Sequence, residues 1–147
     1  TWAKQLALYV TIYSPLQMAA DLLENYEANP RPFQFIKDVP VDWEDTRVLN
    51  GEVGSFATIA RQARGSDEWF LGSVTDENGR VLDVPLSFLT PGRTYVAQVY
   101  RDGDGAHWRD APFDFAVETR DVTSADTLTL RLAAGGGQAI RFLPKAP

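Results

Sequence analysis

Carboxylates are the side chains here with the widest chemical scope. Glu44, Asp45 and Glu52 lie close together in the chain. Cleaving a glycosidic bond takes two carboxyl groups flanking it, about 5 to 10 Å apart, one of them with a raised pKa. Asp45 and Glu52 instead bracket a strand-like segment, where they read as solvated ends. Asp102, Asp104 and Asp110 fall in RDGDGAHWRD. That segment has the aspartate–glycine look of a calcium loop but lacks the full loop spacing and its closing glutamate, so it reads as an acidic turn. No catalytic residue and no metal ligand is assigned. His107, the only histidine, stands in the same polar turn with no serine or cysteine motif around it, and reads as an exposed loop residue. Sugars stack on aromatic faces, and the chain has four tryptophans. Trp43 and Trp69 read as core or interdomain packing, as large amphipathic rings in apolar patterns do. Trp108, in a loop, is the candidate exposed platform.

One more carboxylate, Asp21, ends the most apolar stretch of the chain, residues 5–26, QLALYVTIYSPLQMAADLLENY. No charge occurs between Lys4 and Asp21. Trp2, Leu6, Tyr9 and Tyr13 recur at helical spacing among good helix formers, which predicts a helix over Thr1 to Tyr13. Ser14-Pro15 ends it. Leu16 to Asp21 then reads as a short strand covered on both faces. Helix, break, buried strand and terminal acid follow the order of a β/α barrel. There Asp21 would face the end where such barrels keep their active sites. Asp21 is therefore a candidate substrate contact, in the complete barrel. The uncharged run is too short, and too interrupted, for a membrane span. No basic start followed by a small-residue cleavage site marks a targeting segment.

Beyond Asp21, Asn29-Pro30 and Arg31-Pro32 signal turns, and Pro32 suits a first helical turn. A short helix with Phe33, Phe35 and Ile36 facing inward is expected, closed by Asp38 to Pro40. From Asp42 the period changes to that of strands. Segments 46–51, 53–61, 69–74, 80–86, 93–101, 113–119, 127–132 and 138–143 alternate or run apolar between turn signals. Asp76-Glu77-Asn78-Gly79 reads as a hairpin turn, Leu89-Thr90-Pro91-Gly92 as a second turn, and Gly135-Gly136-Gly137 as a flexible turn between the last two strands. The fold class is mainly β, an antiparallel β-sandwich.

Composition sets outer bounds. The 147 residues suffice for one domain with a real core. Fourteen basic against twenty acidic residues give a net charge of −6, spread rather than blocked, which disfavours nucleic acid and anionic membranes as partners. With no cysteine there is no thiol, disulfide or zinc-finger chemistry.

The segments LALYVTIYSPLQMAADLLENYE, PFQFIKDVPVDWEDTRVLNGEVGSFATIARQARGSDEWFLGSVTDENGR, LDVPLSFL and SADTLTLRLAAGGGQAIRF resemble the C-terminal region of glycoside hydrolase family 97, the α-glucosidase and α-galactosidase family. Leu23 stands where the DLPENY-like family pattern has proline. The resemblance implies that residues 1–41 are the tail of the catalytic (β/α)8 barrel, with its last helices and last strand. Residues 42–147 would be the C-terminal antiparallel β-sandwich that packs on the barrel and stabilises it. It implies a non-catalytic fragment, inactive alone, of an enzyme that cleaves α-glucosidic or α-galactosidic bonds of an oligosaccharide. The fragment would bring no cofactor. Calcium would belong to the parent if it is of the inverting type, and the parent would be periplasmic or secreted. The alternative is a stand-alone carbohydrate-binding sandwich using Trp108. The partner expected is the rest of the barrel. Without it, Leu6, Tyr9, Val10, Tyr13, Leu16 and Met18 would lose cover. The N-terminal helix would then pair with a second copy as a homodimer, or fold back onto the sandwich.

Overall fold

In a computed structural model that describes residues 1–146, three helices precede eight strands: α1 Trp2–Thr11, α2 Leu23–Ala28, α3 Pro30–Asp38, β1 Trp43–Glu52, β2 Phe56–Ala63, β3 Trp69–Thr75, β4 Arg80–Pro85, β5 Tyr95–Asp102, β6 Phe115–Val122, β7 Thr127–Leu132 and β8 Gly137–Pro144. Six strands form one sheet in the order β1-β2-β3-β8-β5-β6, and β4 pairs with β7 in a second. Every named pairing is antiparallel. This is the mainly β sandwich that the alternation announces.

The large sheet is covered on both faces. Towards the small sheet, Trp69, Leu71, Tyr95, Ala97, Val99, Ile140 and Phe142 meet Val84, Leu128, Leu130 and Leu132. On the other face Phe70, Tyr100 and Ala139 pack with Leu6, Ala7 and Val10 of α1 and Phe35 of α3. Double cover explains why WFLGSV in β3 shows no polar alternation: all but Val74 of β3 is buried.

α1 therefore folds back onto the sandwich. Of the two alternatives expected for the helix, folding back onto the sandwich is the one seen: Leu6 and Val10 are buried by the chain's own sheet, while Tyr13, Leu16 and Met18 stay exposed. Thr1 caps the helix by accepting from the Lys4 N–H. At its far end Arg61, from β2, donates through Nε to the Val10 carbonyl at 2.7 Å and through Nη1 to Thr46 Oγ1 at 2.8 Å. The Lys4 ammonium donates to the Thr75 carbonyl. The helix lies so close because the strands beneath it offer no side chain: a Cβ on Gly72 would sit 2.5 Å from the Ala7 carbonyl oxygen. On Gly137 it would sit 2.7 Å from Lys4 Cα. α3 is tied down by Arg141, which pairs with Asp38 at 2.8 Å and Glu68 at 2.9 Å.

Four sequence expectations change. Leu16 to Asp21 is not a strand: among the described residues no strand pairs with it, and a lone extended segment has nowhere to place its backbone groups. Val53 is a fully exposed turn residue between β1 and β2 rather than part of a strand, with Gly54 at φ 83° beside it. Asp76 to Gly79 is no hairpin, because β3 and β4 belong to different sheets. The turn is closed by side chains instead: Asp76 accepts from the Asn78 N–H and pairs with Arg80, while Thr75 Oγ1 donates to the Asn78 carbonyl. Gly135 to Gly137 is not a loose spacer. It is a tight crossover between sheets whose glycines leave room for Trp108, Asp102 and Lys4.

Two predictions follow from this packing. Gly72→Ala forces helix and strand apart, and overpacking of this kind costs about 1–3 kcal/mol. Urea unfolding should show the loss, with faster amide exchange along α1, and an unchanged midpoint would contradict the seating described. The Asp76 carboxyl is held below the ordinary carboxylate range, first by the Asn78 backbone N–H and then, against some desolvation, by the Asn78 side chain and Arg80. A lowered folded-state pKa contributes stability above the unfolded value of about 3.9 and loses it as pH falls towards the folded value. Asp76→Asn should therefore flatten the acid limb of a stability profile below about pH 5.

Candidate functional site

Two regions carry the candidate residues: the uncovered segment after α1 and the loops at the β5–β6 end. After Thr11 the chain runs irregularly to Leu22. Its polar atoms are used internally. Ser14 Oγ accepts from the Leu16 N–H, Gln17 Nε2 donates to the Ile12 carbonyl, and Tyr9 Oη donates to the Met18 carbonyl. Its apolar side chains point outward instead. Ile12, Tyr13, Leu22 and Leu23 are exposed, Leu16 is 72% exposed and Met18 79%. Six large apolar side chains left in water within twelve residues form a patch of the kind that marks a contact surface.

Asp21 lies at the end of this segment. Its carboxylate accepts from the Leu22 N–H at 2.7 Å and the Asn25 side-chain amide at 2.6 Å. These two bonds, the Asn25 one foremost, hold its pKa below the ordinary value. The local job is to start α2, whose first residue is Leu23. That is the first helical position, where the proline of the family pattern would sit without strain. Asp21 also borders a cleft of about 390 Å³ between α1 and α2–α3, with Tyr9, Met18, Tyr26, Phe33 and Ile36. Tyr26 and Phe33 stack across it at 4.8 Å.

The acids of RDGDGAHWRD diverge. Asp102 is buried, and its Oδ2 accepts from the backbone N–H groups of Ala133 at 2.9 Å and Gly137 at 3.0 Å. Asp104 is solvated and pairs with Arg101. Asp110 lies by His107, whose Nδ1 accepts from the Arg109 and Asp110 N–H groups. Among the described residues no group of three His, Asp or Glu side chains gathers in one place. Asp114, which sequence reasoning passed over, closes the loop by accepting from the Gly105 N–H through its side chain and from the Gly103 N–H through its carbonyl. Nothing in the local spelling separates Asp114 from its solvated neighbours. The signal is the pair Gly103 and Gly105, where a Cβ would meet the Asp114 carboxylate.

Trp108 is 46% exposed. The Arg109 guanidinium lies over its ring at 4.7 Å, and its side chain rests against Gly135, held at φ 64°. Its backbone N–H donates to the Ala134 carbonyl. Trp108 thus props the β7–β8 crossover and offers a sugar an indole already partly covered. Trp43 and Trp69 are core residues.

Comparison with known proteins places this geometry. The family described as "Glycosyl-hydrolase 97 C-terminal, oligomerisation" matches residues 42–143. Over 142 residues the chain is 36% identical to a retaining alpha-galactosidase of Bacteroides thetaiotaomicron, covering 97% of this chain and 21% of that protein. A solved glycoside hydrolase family 97 enzyme from Pseudoalteromonas sp. strain K8, in complex with acarbose, superposes with a TM-score of 0.95 at 49% identity, over 98% of this chain and 22% of that one. A β-arabinopyranosidase structure, at TM-score 0.76 and 23% identity, covers 95% of this chain and 20% of its own and shares the fold. The chain spans about a fifth of the length of the curated relatives it matches.

The role given to Asp102 can be checked directly. Asp102→Ala strips an acceptor from two backbone donors and should cost about 1–3 kcal/mol in chemical denaturation. Millimolar calcium should leave the unfolding midpoint of the wild-type chain where it was. A calcium-dependent rise abolished by Asp102→Ala would restore the metal reading.

Proposed function

The chain belongs to the glycosyl-hydrolase 97 C-terminal family, and from that premise we propose that it is the non-catalytic C-terminal part of a glycoside hydrolase acting on α-glucosidic or α-galactosidic bonds, with the sandwich packing on and stabilising the catalytic barrel. The observation that carries this reading is the patch from Ile12 to Leu23. The two apolar cores are covered from within, and half of the exposed large apolar side chains among the described residues fall in this one segment. Its polar atoms are bonded locally, so it is an ordered surface awaiting a partner. The match over about a fifth of the relatives' length supports the barrel as that partner. In the assembled enzyme Asp21 would then stand near the barrel rim and contact substrate there. Calcium, if the parent inverts configuration, would be held by residues outside this chain.

Two measurements test the proposal. Leu16→Ala with Met18→Ala should change the stability of the 147-residue chain by no more than about 0.5 kcal/mol, as exposed substitutions do. In the full-length enzyme the same pair should cost about 2 kcal/mol or more, as the loss of buried side chains does. Equal, small effects in both contexts would remove the docking surface. The chain alone should not turn over aryl α-glucosides or α-galactosides, and turnover by the pure chain would defeat the non-catalytic reading. A saturable tryptophan-fluorescence change with maltooligosaccharides, abolished by Trp108→Ala, would favour the carbohydrate-binding module instead.

A further inference from the structure

The small sheet has two strands against six, and β7 lies mainly over β5 and β8. A shelf of the large sheet is therefore left open on the sandwich side. Residues of β5, β6, β7 and β8 line a cleft of about 550 Å³ there, within the size range of small-molecule sites. Its floor is Gln138. That residue is only 3% exposed and its side chain lines the cleft, yet it is not one of the sealed polar groups left without a partner, which among the described residues are Asn50 Oδ1, Gln98 Oε1 and Asp102 Oδ1. An amide at a cleft wall offers a donor and an acceptor to whatever enters the cleft. Asp102 also lines the cleft, with its Oδ1 buried and without a partner and its Oδ2 accepting from the Ala133 and Gly137 N–H groups.

Three guanidinium groups line the same cleft. Arg101 is neutralised, donating through Nε to Glu118 at 2.6 Å and through Nη1 to Asp104 at 3.1 Å. Arg120 and Arg131 have no carboxylate within ion-pair distance among the described residues. Arg120 lies within electrostatic reach of Asp126, whose carboxyl it helps to hold low, but among the described residues neither Arg120 nor Arg131 is engaged in a contact ion pair.

We propose that this cleft binds a small hydroxylated anion, a sugar acid or a sugar phosphate. Guanidinium forks match the two oxygens of a carboxylate or phosphate. The Gln138 amide offers both a donor and an acceptor to hydroxyl groups. This assignment rests on the cleft's own residues and is independent of the hydrolase reading.

The 147-residue chain is titrated with galacturonate, galactose 1-phosphate and galactose, following the Gln138 side-chain amide by NMR and the heat by calorimetry. Saturable binding of one or both anions is expected, with none of galactose at the same concentration. Which anion binds identifies carboxylate or phosphate as the group held. Arg120→Gln and Arg131→Gln should each weaken binding about tenfold, the scale of one charge-assisted bond. Both side chains are exposed, so the variants should keep the wild-type unfolding midpoint. No saturable response to either anion, equal binding of galactose, or unchanged affinity in both variants would each overturn the assignment.

Discussion

The arrangement depends on a helix backbone lying directly on a sheet. α1 meets β3 and β8 where Gly72, Ala139 and Gly137 remove the side chains that would hold it off. Close approach lets the small residues Ala3 and Ala7 pack alongside Leu6 and Val10. It also brings the Val10 carbonyl within reach of Arg61 and the Thr75 carbonyl within reach of Lys4. A bulkier strand residue at position 72 would separate the layers and leave the orphan carbonyls of the last helical turn without Arg61. The helical layer, the position of α3 and the route of the segment after Thr11 all follow from that contact.

A second constraint works where the chain crosses between the sheets, beside the start of α1. Chain that leaves β7 must cross to β8 in the other sheet, and a tight crossing exposes backbone donors to an apolar interior. Asp102 takes two of them on one carboxylate oxygen. Trp108 fills the hollow above Gly135, and Asp114 gathers the loop that carries both. An aspartate-rich turn that looks like a metal loop is thus organised around backbone N–H groups. The chemistry is the same, oxygen lone pairs seeking positive charge, but the charge is supplied by the peptide chain.

Strand positions were legible because period-2 alternation and turn residues are local properties: all eight strands fall within a few residues of their expected places. Which strands pair was not legible, since pairing joins residues far apart. Asn78-Gly79 spells a hairpin, yet β4 leaves for the other sheet because Leu82 and Val84 find their apolar partners there. Nor could the spelling of residues 16–21 show that an apolar run would lie in water, because burial is a property of neighbours. The site candidates divide the same way. Asp21 and Trp108 were recognisable by type and context. Gln138, an ordinary polar residue in a strand, becomes notable only when its place in the cleft is seen.

The two uncommitted surfaces lie on opposite sides of the large sheet. The patch from Ile12 to Leu23 belongs to the helical layer, while Gln138, Arg120 and Arg131 face the side of the small sheet. Their chemistries differ as well. The first is apolar with its polar atoms internally bonded, and gains by excluding water across a broad area. The second is polar and partly engaged, and gains by hydrogen bonds from its Gln138 and arginine side chains to something small. A large apolar partner on the helices leaves the polar cleft open, so the two occupancies do not compete. The six-stranded sheet, covered on both faces, is the rigid plate that keeps them apart.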